Sequence, residues 1–405
     1  GYPVGGSRLG DYDITGDLDS IHVEYTLKKP NTPITSVSVT GIKTPVYGKP
    51  CSVSDIVIAT DPEDATSTEA CFWVKQDDDM GTWNFEGKYW SKVPDGATFE
   101  VGDYILIAEI AAADGYKFKY TADYHVFVDA KISGESTIPD TDEAGQCIVN
   151  SGVYTVEEPT VYDLWVSGVQ VTSVNASDVL GDGKVKYAAD DGTLTILEGA
   201  NITGVYERAL IYAEGMDLMI NAPDSLTMEF TDYYGVRIKG EGNNLTVNGN
   251  VNLTCFDSNA RALYAEKGSI TVNGDLEVPS GAGTGEIGYS AVDAQKDVTV
   301  TGNVNISGLL YGLYAHNRNV KVYGNAELQT KWYGLYAYNN IAVDKDVKVT
   351  VSGNWVAVRA NKGSVTIGGN VTAKYTGTEV NTNYGVHAGK NIEIKGDVDI
   401  AGFKE

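Results

Sequence analysis

The sequence predicts an all-β protein in which an antiparallel β-sandwich is followed by a right-handed parallel β-helix, a solenoid of about 25-residue coils. Short runs of alternating apolar and polar residues recur along the 405-residue chain, and no stretch shows the 3.6-residue period of a helix. Two short phrases repeat through the second half. The composition is rich in Gly (46) and Tyr (26) and poor in Cys (4), which is typical of extracellular β-proteins.

The charge balance limits the partners that we expect. The chain carries 30 basic and 55 acidic residues, a formal net charge of −25. Nucleic acids and anionic membrane surfaces repel such a surface, so neither is an expected partner. No apolar run is long enough to span a bilayer, and no membrane insertion is expected. The simplest explanation of the acidity is that it keeps an exposed protein in solution.

The first third of the chain is predicted to hold a polar segment and one sandwich. Residues 1–33 are rich in polar residues, Gly and Asp, and end in the linker-like run KKPNTP. From 34 to 130, β-rich runs such as SDIVIAT and DYILIAEIA alternate with turn signals. Runs of five to eight residues at this spacing indicate an antiparallel sandwich.

Two groups of side chains in the predicted sandwich leave alternatives open. Cys51 and Cys71 either form a disulfide between neighbouring strands or are buried thiols. Three tryptophans, Trp73, Trp83 and Trp90, are expected to be core or half-buried strand residues. The alternative for them is an aromatic platform for a sugar.

Two segments lead from the sandwich to the repeats. Residues 131–161 include the acidic run SGESTIPDTDEAG and are predicted to be a linker. Residues 162–192 contain two strand pairs joined around Gly181-Asp182-Gly183 and Asp190-Asp191-Gly192, both strong hairpin signals. Because the open end of a solenoid exposes unpaired backbone groups, we predict that this segment is a hairpin cap. The β-helix then covers 193–405 and is expected to end part-way through a coil.

The repeated phrases define the coil. One phrase, of the type LTVNGN (245–250), occurs six times. The other, of the type YGLYA (311–315), occurs seven times, and its last residues are separated by 27, 29, 21, 22, 23 and 28 positions. Alternation turns one side of each strand inward, and Gly-Asn or Gly-Asp supplies left-handed geometry at a corner. We therefore predict seven coils, with an irregular unit at 341–360 where Asp-Lys-Asp replaces Gly-Asn.

The second phrase also predicts an outward file of side chains, one per coil. Alternation assigns to it Arg237, Tyr264, Asp293, Tyr314, Tyr336, Arg359 and His387. The positions two before these are all Gly or Ala and are assigned to the outer surface as well. The result is a shallow groove suited to an extended glycan, because Tyr faces stack on sugar rings and Arg or His binds hydroxyls and carboxylates. The alternative is a purely structural ladder of like residues.

No catalytic constellation and no metal site stands out. A glycoside hydrolase needs two carboxyl groups about 5–10 Å apart, whereas the file offers Asp293 alone. Ladder spacing places Asp293 roughly 10 Å from Arg237 and roughly 14 Å from Arg359, too far for a lyase pair. Asp178 and Asp182 resemble part of a calcium loop, but its other ligands are absent and hairpin turns explain these acids. We expect neither a metal nor a cofactor.

Two long stretches resemble known surface proteins. The run YDLWVSGVQVTSVNASDVLGDGKVKYAADDGTLTI (162–196), with the Gly-Asn repeats after it, resembles a module of large surface proteins of Gram-positive, Clostridia-type gut bacteria. The runs ITSVSVTGIKTPVYGKP (34–50) and FEVGDYILIAEIAAADGYKF (99–118) resemble an Ig-like repeat of the same proteins. The resemblance implies an exported, often wall-anchored protein with an Ig-like β-sandwich and a carbohydrate-binding β-helix. We expect that an export signal preceded Gly1.

These observations predict a non-enzymatic cell-surface or secreted protein of the adhesin or glycan-binding type, whose β-helix presents the binding face. Its location would be extracellular and its partner a polysaccharide or host glycan. One alternative is a polysaccharide lyase or glycoside hydrolase of the β-helix type. The other is a structural surface stalk.

Overall fold

The computed structural model confirms the all-β class. It describes residues 31–77, 81–85, 87–118, 129–132, 135–137, 140–141, 146–231, 233–255, 258–279, 288–378 and 384–404. Every regular element in these ranges is a β-strand. Accordingly, the described part of the chain contains no helix long and apolar enough to cross a membrane. The chain divides into two compact units, Gly1–Glu158 and Pro159–Glu405.

The first unit is built around one long strand. Its strands are β1 (Thr32–Ile34), β2 (Ser36–Thr40), β3 (Val57–Asp61), β4 (Thr66–Asp77), β5 (Trp83–Phe85), β6 (Lys88–Lys92), β7 (Gly102–Ala112), β8 (Tyr116–Phe118), β9 (Asp129–Ile132), β10 (Glu135–Thr137), β11 (Asp140–Thr141), β12 (Gln146–Asn150) and β13 (Tyr154–Val156). Strand β7 pairs antiparallel with β4, β12 and β13. A second sheet joins β2 to β3 in antiparallel and to β9 in parallel. The predicted linker 131–161 therefore contains strands that belong to this unit; short, turn-flanked strands such as β12 are easily overlooked in a sequence.

The tryptophans of the first unit lie in its core. Trp73 and Trp90 are buried, in two apolar clusters, and Trp83 packs against the second of these. The prediction that they are core residues is confirmed. No disulfide joins Cys51 to Cys71, and both side chains lie partly buried against the first cluster.

Antiparallel strands precede the solenoid in the second unit. They are β14 (Val161–Val166), β15 (Val169–Thr172) and β16 (Val185–Ala188). The β14–β15 hairpin turns at Ser167-Gly168, where both residues have positive φ, the geometry of a tight two-residue turn. The hairpin predicted around Gly181–Gly183 is not formed. That segment is a loop whose acids bind its own backbone, since Asp178 Oδ1 accepts the Gly183 N–H at 2.8 Å.

The rest of the second unit is a parallel β-solenoid with three faces. Face A consists of β17 (Thr193–Ile196), β19 (Leu218–Asn221), β22 (Leu245–Asn248), β25 (Ile270–Asn273), β28 (Val298–Val300), β30 (Val320–Val322), β33 (Ile341–Val343), β36 (Val365–Ile367) and β39 (Ile392–Ile394). Face B consists of β20 (Leu226–Phe230), β23 (Val251–Cys255), β26 (Leu276–Pro279), β31 (Ala326–Thr330), β34 (Val347–Val351), β37 (Val371–Tyr375) and β40 (Val398–Ala401). Face C consists of β18 (Ala209–Glu214), β21 (Tyr234–Lys239), β24 (Arg261–Ala265), β27 (Gly288–Ala294), β32 (Leu335–Ala337), β35 (Val358–Ala360) and β38 (Val386–Ala388). One long strand, β29 (Val304–Ala315), runs through faces B and C.

The solenoid has about eight turns, one more than the repeated phrases predict. The extra coil is formed by β18, β19 and β20, whose sequences lack the Gly-Asn phrase but pair in the same parallel register. Strand β16 pairs antiparallel with β17, so the parallel ladder of face A begins beside an antiparallel strand. The interior is one continuous apolar core in which period-2 side chains from successive coils stack.

Glycine is required at the corner after face A because successive coils approach closely there. A Cβ on Gly274 would lie 2.4 Å from the Gly249 carbonyl oxygen, and one on Gly302 would lie 2.5 Å from that of Gly274. Of these three residues only Gly249 has a positive φ, at 130°. The predicted reason, a left-handed corner, is thus wrong for Gly274 and Gly302, where steric proximity between coils excludes a side chain.

A ladder of Asn and Asp follows the corner glycines. The side-chain oxygen of each of the first six members accepts the backbone N–H of the next; the members are Asn250, Asp275, Asn303, Asn325, Asp346, Asn370 and Asp397. The irregular unit keeps this contact: Asp346 donates its N–H to Asn325 Oδ1 at 3.2 Å and accepts the Asn370 N–H at 2.6 Å. Unit 341–360 therefore stacks in register despite its different sequence.

Candidate glycan-binding strip on face C

The predicted outward file is a single ladder in the structure. Consecutive pairings align Arg237, Tyr264, Asp293, Tyr314, Tyr336, Arg359 and His387, and Tyr212 precedes them on the extra coil. We call these eight residues the central file. Its alignment is confirmed. Asp293 and Tyr212 are buried, at 2% and 1% exposure, and the six other members of the file are half-buried at the surface.

The small residues beside the file face inward, contrary to the prediction. Ala262, Ala291 and Ala357 are fully buried. A Cβ on Gly312 would lie 2.4 Å from Leu328 Cδ2, an interior side chain of face B. The strict alternation fails because the chain turns a corner between faces B and C, where two successive residues both point into the core. The Gly and Ala file therefore forms no groove floor.

A second file flanks the central file, and four of its members, Tyr234, Arg261, Tyr311 and Tyr384, are partly or fully exposed, whereas Ala209, Ser290, Tyr333 and Val356 are buried. Pairing aligns Ala209, Tyr234, Arg261, Ser290 and Tyr311; Tyr333, Val356 and Tyr384 hold the same position, three residues before the central file. We call these residues the corner file and the two files together the strip. The sequence signal for it was the Tyr that opens the phrases YGVRI, YGLYA and YGVHA.

Tyrosine rings in the strip stack on one another along the solenoid axis. The Tyr314 and Tyr336 centroids lie 4.4 Å apart with an interplanar angle of 10°. Their faces therefore cover each other, and the surface presents ring edges and hydroxyl groups. The faces that these two rings turn toward each other are therefore covered and closed to a sugar. Burial raises the pKa of Tyr264, Tyr314 and Tyr333, so all three hydroxyls stay protonated at neutral pH.

The aromatic contacts continue from coil to coil. Tyr311 contacts Tyr289 at 5.0 Å and Tyr314 at 4.9 Å between centroids. Tyr333 contacts the Trp355 ring at 5.0 Å, edge to face. Trp355 is 39% exposed and lies in the bend before β35, so an indole surface borders the strip at its later coils.

Asp293 lies at the centre of a charged cluster that the sequence did not reveal. Its side chain is 3% exposed; Arg261 Nε donates to Oδ2 at 2.9 Å, and His316 Nε2 lies 2.8 Å from Oδ1. The Arg261 guanidinium also covers the Tyr289 ring at 4.1 Å. The ladder estimate concerned only Arg237 and Arg359; the groups that reach Asp293 are Arg261, from the corner file, and His316, which follows face C. Arg261 and His316 therefore both pair with Asp293 inside the cluster.

The two arginines of the central file have different surroundings. Arg237 faces two carboxylates, with its Nη atoms 4.0 Å from Glu207 and 3.7 Å from Glu266. Arg359 instead donates from Nη1 to Tyr333 Oη at 3.0 Å and from Nη2 to Asn361 Oδ1 at 3.3 Å. Within the described ranges, no carboxylate pairs with Arg359.

His387 is the next residue of the central file after Arg359. Its Nδ1 and the Arg359 Nε are buried atoms that make no hydrogen bond. Burial, and then the charge of Arg359, lowers the pKa of His387. Tyr384, 38% exposed, packs beside the imidazole with centroids 5.2 Å apart. This end of the strip therefore carries a positive charge that no described carboxylate balances.

At the other end, Tyr212 binds an acid. Its hydroxyl donates to Glu214 Oε2 at 2.5 Å, and burial together with this bond raises the pKa of Tyr212 to about 12. Trp165 and Tyr206 stack with their planes 5° apart beside it. Among the described side chains, no group of three His, Cys, Asp or Glu could hold a metal ion.

A scan against models of protein families, a search of curated proteins and a search of solved structures each found no match to this chain.

Proposed function

We propose that the chain is a non-enzymatic cell-surface or secreted protein of the adhesin or glycan-binding type, and that the strip on face C holds an extended glycan. The observation that carries the proposal is the continuity of the strip. From Arg237 to His387, phenol, guanidinium and imidazole groups occupy equivalent positions on coils about 4.8 Å apart, interrupted by the buried Asp293. A polymer lying along the axis would meet a hydrogen-bonding group of the central file at each of the other coils, with Trp355 as an apolar contact.

The rest of the chain fits this role. The first unit would be an Ig-like sandwich that acts as a spacer, the β-helix would be right-handed, and 162–192 would cap it. The resemblance to surface proteins of Clostridia-type bacteria and the acidic, Tyr-rich composition support an extracellular location. The partner would be a polysaccharide or a host glycan.

A glycan array with the whole chain tests the proposal. We expect binding to at least one class of extended glycan, and loss of that binding in the Tyr314→Ala/Tyr336→Ala double variant. Tyr323→Ala is the matched control, because Tyr323 is 42% exposed but follows face A, away from the strip. An array without hits, or hits that the double variant retains, would leave the strip as a structural ladder and the protein as a stalk.

The Asp293–His316 pair favours a second candidate, a polysaccharide lyase or glycoside hydrolase. The His316 imidazole, with its Nε2 2.8 Å from the buried Asp293 carboxylate, has the geometry of a histidine that is oriented by an acid for general acid–base catalysis. Incubation with pectins and xylans would then release unsaturated or reducing ends. The release would disappear in His316→Gln but persist in Tyr323→Ala.

A further inference from the structure

The three arginines of the strip differ in whether a carboxylate already balances their charge. Arg237 lies near Glu207 and Glu266, and Arg261 binds Asp293. Arg359 contacts only neutral oxygens among the described residues, those of Tyr333 and Asn361. A half-buried guanidinium without a counter-charge is unfavourable, because burial removes water that would otherwise solvate it.

The groups around Arg359 leave hydrogen-bonding capacity unused. Arg359 Nε and His387 Nδ1, on paired strands, make no hydrogen bond. Arg237 Nε is also unbonded, but the Arg237 guanidinium already faces two acids. A guanidinium presents its donors in a plane that matches the two oxygens of a carboxylate. Trp355 provides an exposed ring on the same side through its contact with Tyr333.

We infer that the end of the strip formed by Tyr333, Trp355, Arg359, Asn361 and His387 selects glycans that carry a carboxylate, such as polymers of uronic acids. This inference rests on the proposed glycan-binding function. Arg359 would hold the carboxylate, His387 would contact it from the next coil, and the partly exposed Tyr336 and Tyr384 would hold hydroxyls of the neighbouring sugars. The chain's net charge of −25 does not prevent this, because salt screens charges beyond about 8 Å under physiological conditions.

Binding of one polymer in two chemical forms tests the inference. The probes are polygalacturonate and the same polymer with its carboxyl groups reduced to alcohols, measured by calorimetry with the full chain. We expect wild type to bind the acidic form about tenfold to a hundredfold more tightly, the range for hydrogen bonds to a charged group. Arg359→Gln should abolish this preference while leaving binding of the reduced polymer within about twofold.

Matched variants distinguish the roles of charge and structure. Arg237→Gln, in the same file but already paired, should keep the preference for the acidic form. Arg359→Lys should keep part of it, because the charge remains while the planar pair of donors is lost. Circular dichroism and the unfolding midpoint show whether each variant is folded. If Arg359→Gln does not fold, two other variants allow the same comparison of the acidic and reduced polymers. They are Arg359→Lys and Asn361→Ala; the latter removes one hydrogen-bond acceptor from Arg359 and keeps the guanidinium charge.

The binding results distinguish failure of carboxylate selection from failure of glycan binding as a whole. Absence of binding to either polymer and to every glycan on the array would overturn the proposed function. Equal binding of both polymers by wild type would overturn the inference alone. The same follows if Arg359→Gln weakens both polymers equally, since Arg359 would then hold hydroxyls. The His387 resonance gives an independent reading: a bound carboxylate should raise the pKa of that imidazole, and the reduced polymer should not.

Discussion

Replacing Asp293 by Ala should strongly destabilise the solenoid. The carboxylate is 3% exposed and accepts one bond from Arg261 and makes another with His316. Two bonds to a charged group are worth about 3–6 kcal/mol together. The side chains of Arg261 and His316 are 21% and 40% exposed. Water can therefore replace part of the lost hydrogen bonding when the carboxylate is removed. We therefore expect a loss of about 2–4 kcal/mol in the free energy of unfolding.

Urea unfolding of the full chain, followed by circular dichroism, measures this loss in the transition of the second unit. The same change corresponds to a fall in Tm of roughly 5–15 °C for a unit of this size. Asp399→Asn, an exposed acid on β40, is the control and should change stability by less than about 0.5 kcal/mol. The Arg261→Gln/Asp293→Ala double variant should lose less than the sum of its single variants, because both single variants lose the same Arg261–Asp293 ion pair, which the double variant loses only once. A loss below about 0.5 kcal/mol in Asp293→Ala would refute the reasoning.

Three further predictions concern the coil and the pH dependence. Gly302→Ala should lower the free energy of unfolding by about 1–3 kcal/mol, because its Cβ would meet a carbonyl oxygen of the preceding coil. Gly152→Ala, where the added Cβ has open space, should not destabilise the protein. Equal urea midpoints for the two variants would contradict the steric argument. Asp346→Asn should change the free energy of unfolding by less than about 0.5 kcal/mol, because the Asn oxygen can still accept the Asn370 N–H. Asp346→Ala, which lacks that acceptor, should lower it by about 1 kcal/mol. A loss larger than about 0.5 kcal/mol in the Asn variant would show that the charge of Asp346 matters. The pKa of His387 is lowered below its usual 6.5, so the unfolded chain binds a proton more readily, and stability should fall as the pH drops from 6.5 through the lowered pKa. His387→Gln should remove that part of the fall between pH 8 and pH 5, and unchanged pH profiles of the urea midpoint would exclude this explanation.

The coil architecture was predictable because its signals are local and repeated. In β22 and its counterparts, alternation places apolar residues inward regardless of what surrounds the coil. The extra coil at β18–β20 was missed because it pairs in register without the Gly-Asn phrase. Its corner follows another sequence, and only the pairing of the strands shows that it is a coil.

The candidate site was predictable in part. The central file followed from alternation within one short strand, where the period-2 rule holds. The corner file did not, because two successive residues between it and the central file both face inward, which breaks the alternation. Assigning Gly312 and its counterparts to the surface therefore hid Tyr311 and Arg261 from the prediction.

The sequence alone determined the strand content, the parallel stacking and the residue that each coil adds to the central file, since all three depend on periodicity along the chain. The tertiary structure decided which side chains meet. Asp293 contacts Arg261, 32 residues earlier, and His316, 23 residues later, because coils of unequal length bring these positions together. Arg359 instead meets the neutral oxygens of Tyr333 and Asn361, 26 residues earlier and two residues later. Charge pairing across coils depends on corner geometry and loop length, and neither is encoded in the strand pattern.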